Sequence, residues 1–181
     1  METARPEIRP SSCAPAASPA GPRLGDLLAL ATRLAAEPDL ARRLPAPADR
    51  RAWLRLHAGP GTTAWLIAWP PGTGTAWHDH GGAAGAMVAL EGALTERSIE
   101  APAGHPADQA LPLPGGTGRV RALAAGQGRA FTGRHIHEVT NEGAATAYSV
   151  HVYAPDLALM RHYVPVGETL VLIGLETGRD W

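Results

Sequence analysis

Two hydrophobic periods divide the chain. Leu24, Leu27, Leu28, Leu30, Ala31 and Leu34 recur at the spacing of one helical face, with Asp26 near the start. They predict a short helix over residues 25–36. Pro38, Pro45 and Pro47 interrupt the next stretch and leave room for one more helical turn at 39–44. From Arg51 the apolar positions alternate or run together in short stretches between Gly and Pro, the mark of strands. Trp53-Leu54-Arg55-Leu56 and residues 63–69 read as two strands split by Gly59-Pro60-Gly61. After the turn Pro70-Pro71-Gly72 comes a strand carrying His78 and His80. Residues 86–90 and 93–99 make a hairpin about Glu91-Gly92. A loop rich in Pro and Gly fills 101–118. Strands resume at 119–123, 128–132, 135–140 and 146–153, and 168–175 forms one more. Many short strands with Gly/Pro turns predict a mainly β domain, a sandwich or barrel, over residues 23–181. The Pro-, Ser- and Ala-rich residues 1–22 read as a disordered leader.

Composition narrows the function classes. The chain has 181 residues, 45% of them hydrophobic, enough for a full core. Its net charge is −1, with all basic residues Arg and none Lys. That gives no field to attract nucleic acid or an anionic membrane. One cysteine, Cys13, excludes an intrachain disulfide. No apolar run has the length of a transmembrane helix, and the first residues lack the core of a signal peptide. The expectation is a cytoplasmic protein, a monomer or weak homo-oligomer.

The chemistry concentrates in two segments. Trp77-His78-Asp79-His80 puts two imidazoles at i and i+2, on one face of a strand. His137-Glu138-Val139-Thr140-Asn141 lies far downstream and meets them only if the sheet folds back on itself. Three neutral imidazoles suit iron, copper, nickel or zinc and leave coordination positions open. Gly72, separated from His78 by five residues, and Gly92, twelve after His80, complete the first motif of the cupins. His137, followed by three residues and then Asn141, matches the second motif. Many cupins add a ligating Glu four or five residues after the second His. Here those positions are Ala84 and Gly85. His135, two residues before His137, competes for the third ligand position, but the spacing to Asn141 selects His137. His57, His105 and His162 fit no motif and are expected on the surface or in loops.

From Trp53 to Tyr163 the sequence resembles the cysteine dioxygenase family of thiol dioxygenases. The likeness runs through Trp69-Pro70-x-Gly72, His78-Asp79-His80, Gly92, His137-x-Val139-x-Asn141 and Ser149-Val150-His151-Val152-Tyr153. It implies a cupin barrel holding Fe(2+) on His78, His80 and His137. It implies further that Ser149, His151 and Tyr153 form a hydrogen-bonded row ending beside the iron. The partners implied are a small thiol and O2, and the reaction is conversion of L-cysteine to cysteine sulfinate. Animal members cross-link the active-site Tyr to a Cys five residues after the second His. Gly85 stands there, so the chain resembles the bacterial branch and should carry no cross-link. The substrate carboxylate calls for an Arg on a strand before the first His. Arg55 is the best match and Arg51 an alternative. Arg161 would be the candidate for an enzyme of 3-mercaptopropionate. A dioxygenase of that or another small thiol, and a metal-binding cupin that senses a small molecule without turnover, are the competing readings.

Overall fold

The computed structural model describes residues 23–106 and 108–178; the predicted leader at 1–22 lies outside them. The amphipathic run forms the helix α1 (Leu24–Ala35), and a 3-10 turn follows at Leu40–Arg43. Both fall within a residue or so of the predicted positions. Among the described residues twelve strands come next. The first six are β1 (Ala52–Leu56), β2 (Thr63–Trp69), β3 (Trp77–His78), β4 (Ala84–Glu91), β5 (Ala93–Glu100) and β6 (Leu111–Pro112). The others are β7 (Arg119–Ala124), β8 (Gly128–Phe131), β9 (His135–Thr140), β10 (Ala147–Ala154), β11 (Leu159–Val166) and β12 (Thr169–Thr177). They pair antiparallel into two sheets. One runs β1-β2-β10-β4-β8 and the other β6-β12-β11-β3-β9-β5-β7. Consecutive strands β2, β3 and β4 alternate between the sheets, as do β8, β9, β10 and β11. This is the double-stranded β-helix of a cupin.

The five-stranded sheet is buried on both faces. Leu66 on β2, Ala86 and Val88 on β4, and Val150 and Val152 on β10 pack under Leu27, Ala31 and Leu34 of α1. The opposite face turns Trp69, Met87, Ala89, Phe131 and Tyr153 toward the other sheet, where Leu94 and Val139 meet them. Strand alternation therefore sends Val150 and Val152 to the helix, and Ser149, His151 and Tyr153 inward. A third cluster, Trp77, Leu111, Leu113, Ile136, Tyr163 and Leu170, is capped by the return of the long loop. Among the described residues no helix is long and apolar enough to cross a membrane.

One predicted strand ends early, and β6 forms inside the predicted loop. The strand through His78 and His80 stops at His78. The Asp79 carboxylate accepts the Gly81 N–H (2.9 Å), and the His80 carbonyl accepts the Ala83 N–H (3.0 Å), so the backbone turns instead of extending. Strand β11 was not predicted. It pairs with both β3 and β12. Its polar Arg161 and His162 make specific contacts on opposite faces, so no apolar alternation marks it.

Candidate metal centre and cavity

The ligand nitrogens of His78, His80 and His137 lie within 4.8 Å of one another, and all three residues are buried. Topology brings them together. His78 on β3 pairs directly with His137 on β9. The Asp79 turn brings the His80 ring to 5.1 Å from that of His78, centroid to centroid. Asp79 is fixed from three sides. Arg161 donates to both its oxygens (3.3 and 3.0 Å), and the Tyr163 hydroxyl donates to Oδ2 (2.8 Å). Asn141, the motif's other constant, is no ligand. Its side-chain amide donates to the Trp69 and Ala145 carbonyls (2.7 and 2.8 Å). The Gly72 N–H, at a φ of +73°, donates to the Asn141 carbonyl (2.9 Å). Gly72 and Asn141 thus pin together the two chain segments that lead into and out of the histidines.

The donor inventory fits a metal ion. His78 Nδ1 donates to the Ala76 carbonyl (2.9 Å), which leaves Nε2 as a bare acceptor. His137 Nδ1 faces Glu96 Oε1 (2.9 Å), and its Nε2 is buried without a hydrogen-bond partner among the described residues. Both ring nitrogens of His80 are in the same position. Buried polar atoms are normally paired. Three imidazoles converging with unpaired nitrogens are what a cation with open positions requires. Burial also keeps them neutral. It lowers His78 to about 4, and it sets His80 and His137 well below their ordinary value, helped for His80 by the neighbouring imidazoles.

Beside the histidines a cavity of about 270 Å³ opens, lined by Arg51, Trp53, Trp65, Ile67, Trp69, His151, Tyr153, Leu157, Met160, His162 and Glu176 among others. The predicted row is present on β10. The Trp69 indole N–H donates to Ser149 Oγ (2.8 Å). Ser149 Oγ lies 2.9 Å from His151 Nε2, and His151 Nδ1 lies 3.2 Å from the Tyr153 hydroxyl. Burial lowers His151 to about 3, so its imidazole is neutral, and raises the Tyr153 phenol above its ordinary value. A neutral imidazole with its proton on Nδ1 donates to the Tyr153 oxygen and leaves the phenolic hydrogen for the cavity.

The candidate arginines differ in their relation to the cavity. Arg55 is exposed, its guanidinium 5.8 Å from the centre of the Trp65 ring, and it does not line the cavity. Arg51 does. It is half-buried, 5.4 Å from the centre of the Trp69 ring, and interacts electrostatically with Glu176 and Tyr153. Arg161 is held by Asp79 and also stays out of the cavity. His162 is not a surface residue. It lines the cavity from β11, opposite His78 in register, and pairs with Glu176 (2.7 Å). His57 is exposed after β1, and His105 sits in the long loop near the Gln109 carbonyl (3.3 Å).

Two residues escaped the sequence reading. Phe131 on β8 stacks on His80 (5.1 Å, 24°) and on His135 (4.8 Å, 23°). Glu96 on β5 is fully buried, and its Oε1 is shared by His137 and by His135 Nε2 (3.0 Å). The signal for Glu96 was the company it keeps. It stands between Leu94 and Ser98 on the inward face of a strand, where a carboxylate without a partner would be costly.

The family model described as cysteine dioxygenase type I matches residues 39–165. No curated protein sequence matches the chain. Among solved structures the chain is similar to the TT1209 protein of Thermus thermophilus, at 25% identity and a TM-score of 0.51, covering 65% of this chain and 94% of that one. A cupin superfamily protein of Desulfitobacterium hafniense is similar at 12% identity and a TM-score of 0.49, covering 65% and 88%.

Proposed function

The chain belongs to the cysteine dioxygenase type I family, and on that premise we propose that it is an Fe(II)-dependent thiol dioxygenase converting L-cysteine and O2 to cysteine sulfinate. The observation that carries the reading is the cavity itself. His78 and His137 line it, grouped with His80, and so do the Tyr153 phenol and the Arg51 guanidinium. The overall change is RS⁻ + O2 → RSO2⁻. Sulfur loses four electrons and dioxygen gains four, so no outside reductant is consumed. His78, His80 and His137 would hold the iron, which supplies open coordination positions and one-electron redox chemistry when bound.

This chain's own groups do the rest. Arg51 binds the substrate carboxylate, for which a guanidinium fork is the natural partner. Tyr153 holds a proton at its hydroxyl, and His151 and Ser149, anchored by the Trp69 indole, fix the direction of that O–H. Trp53, Trp65, Ile67, Leu157 and Met160 line the remaining surface and exclude water, which strengthens the polar contacts inside. Arg161 would favour 3-mercaptopropionate as substrate, but Asp79 occupies it. A sensor without turnover would have no use for the Ser149–His151–Tyr153 row.

The test is oxygen uptake by the iron-loaded protein with L-cysteine, cysteamine and 3-mercaptopropionate, with the sulfinate quantified by mass spectrometry. We expect L-cysteine to be preferred, with one O2 consumed per sulfinate formed. Preference for 3-mercaptopropionate would reassign the substrate. Metal and thiol binding without oxygen uptake would make the protein a sensor.

A further inference from the structure

His137 is one of two histidines on the same face of β9, and sequence alone left His135 as its rival. Glu96 separates them. It projects from β5, which pairs with β9, and is 0% exposed. Its Oε1 receives His137 Nδ1 at 2.9 Å and His135 Nε2 at 3.0 Å. Its Oε2 is bonded to Arg129 and lies 4.0 Å from Arg121. Two imidazole nitrogens against one oxygen and the Arg129 guanidinium against the other are the partners of an ionised carboxylate.

An ionised carboxylate accepts hydrogen bonds and donates none. Both imidazole nitrogens that face Glu96 therefore carry hydrogen. For His137 this puts the proton on Nδ1 and leaves a lone pair on Nε2, the atom that is buried, unpartnered and grouped with His78 and His80. For His135 it puts the proton on Nε2 and holds the ring beside the carboxylate, stacked on Phe131 and outside the cavity.

We propose that Glu96 is a positioning residue of the metal centre, which selects the tautomer of His137 that can bind a cation and holds His135 back from the site. This rests on the metal-binding reading given above. It also relocates a missing charge. The ligand set lacks the cupin carboxylate, since Ala84 and Gly85 stand where it would be. Glu96 places an anion one imidazole further out, where it strengthens His137 as a donor instead of occupying a coordination position.

The variant Glu96→Gln tests this because an amide cannot satisfy both sides. With its oxygen toward the histidines, its NH2 meets the Arg129 guanidinium, donor against donor. With its NH2 toward the histidines, His137 must accept at Nδ1 and carry its proton on Nε2, the wrong tautomer for the metal. Two measurements read this out. Long-range ¹H–¹⁵N spectra of the metal-free, histidine-labelled protein report which His137 nitrogen is protonated. Anaerobic competition against a chelator reports Fe(II) affinity. Wild type should show the Nδ1–H tautomer. Glu96→Gln should gain the Nε2–H form and lose about 10- to 100-fold in Fe(II) affinity, the usual cost of an outer-shell partner. Glu96→Asp, which keeps the charge, should recover part of the loss, and His135→Gln should stay within about 3-fold of wild type by the same comparison.

A wild-type His137 protonated on Nε2 overturns the inference, even if Glu96→Gln fails to fold. So does a folded Glu96→Gln with unchanged tautomer and affinity, which would leave Glu96 a partner of Arg129 only. A wild type with the Nδ1–H tautomer that takes up no Fe(II) overturns the metal-binding reading instead, and the inference falls with it.

Discussion

At the scale of single residues, the candidate site depends on where along a strand a side chain leaves the backbone. Arg51, Trp53 and Arg55 alternate onto one side of the chain entering β1, so the sequence identified the right face. It could not identify the distance. Four residues along a strand are roughly 13 Å, enough to carry Arg55 past the Trp65 ring into solvent while Arg51 stays in the cavity. Truncating one member of a buried charge-assisted pair costs roughly 2–5 kcal/mol. Arg51→Ala is therefore expected to lower kcat/KM for L-cysteine by about 30- to 5,000-fold, since each 1.4 kcal/mol is a factor of ten. The same variant should matter far less for cysteamine, which has no carboxylate. Arg55→Ala should behave as wild type, and an equal loss in both variants would sink the assignment. Tyr153→Phe removes one hydroxyl from the end of the β10 row. Turnover should fall on the order of 10²-fold, the scale of a lost proton-transfer group, with iron content unchanged. Loss of iron together with activity would mean that the phenol supports the metal site and not the chemistry.

At the scale of elements, the amphipathic helix and most strands were legible because each has one face toward a single core. The failures share a cause. In β11, Met160 and His162 line the cavity while Arg161 and Tyr163 hold Asp79, so polar and apolar positions do not separate by parity. In β3 a side chain, Asp79, takes over the backbone partners after two residues. The histidines remained legible because Gly72 and Asn141 are fixed by turn geometry and lie close to them in sequence. Glu96 is far from its partners in sequence, and no local pattern links them. The pairing of Tyr153 with Gly85 across β10 and β4 carries a prediction of its own. A Cβ at Gly85 would lie 2.5 Å from the Phe131 ring and 2.9 Å from the Val152 carbonyl oxygen. The ring that stacks on His80 thus fills the space that a side chain at 85 would need. Gly85→Ala should destabilise the metal-free protein by about 1–3 kcal/mol, the cost of overpacking a filled core. Urea unfolding measures this, and a midpoint equal to wild type would show that Phe131 yields freely.

At the scale of the whole molecule, the buried histidines tie stability to pH. In the folded metal-free protein His78 and His151 gain protons only near pH 4 and pH 3, whereas in the unfolded chain they do so near 6.5. Between those values the unfolded state binds more protons, so stability rises with pH through the window and levels off above it. Acidification from pH 7 toward 4 should remove on the order of 3 kcal/mol per group. Urea midpoints from pH 8 to 4 test this, and a flat profile would contradict it. Bound iron should shift the loss to lower pH, because its ligands must then surrender the metal before they protonate.

The two-sheet architecture has a further consequence for how such a molecule can change over time. The three imidazoles and Glu96 all hang from the seven-stranded sheet and its turns, while the phenol row and Arg51 belong to the five-stranded sheet and its entry. Drift in β1, β2 and β10 can retune which thiol is accepted while the three imidazoles and Glu96 keep their places. Drift in β3, β5 and β9 can change the ion while Arg51 and Tyr153 keep theirs. Descendants of this chain are thus free to inherit the grip and the appetite separately.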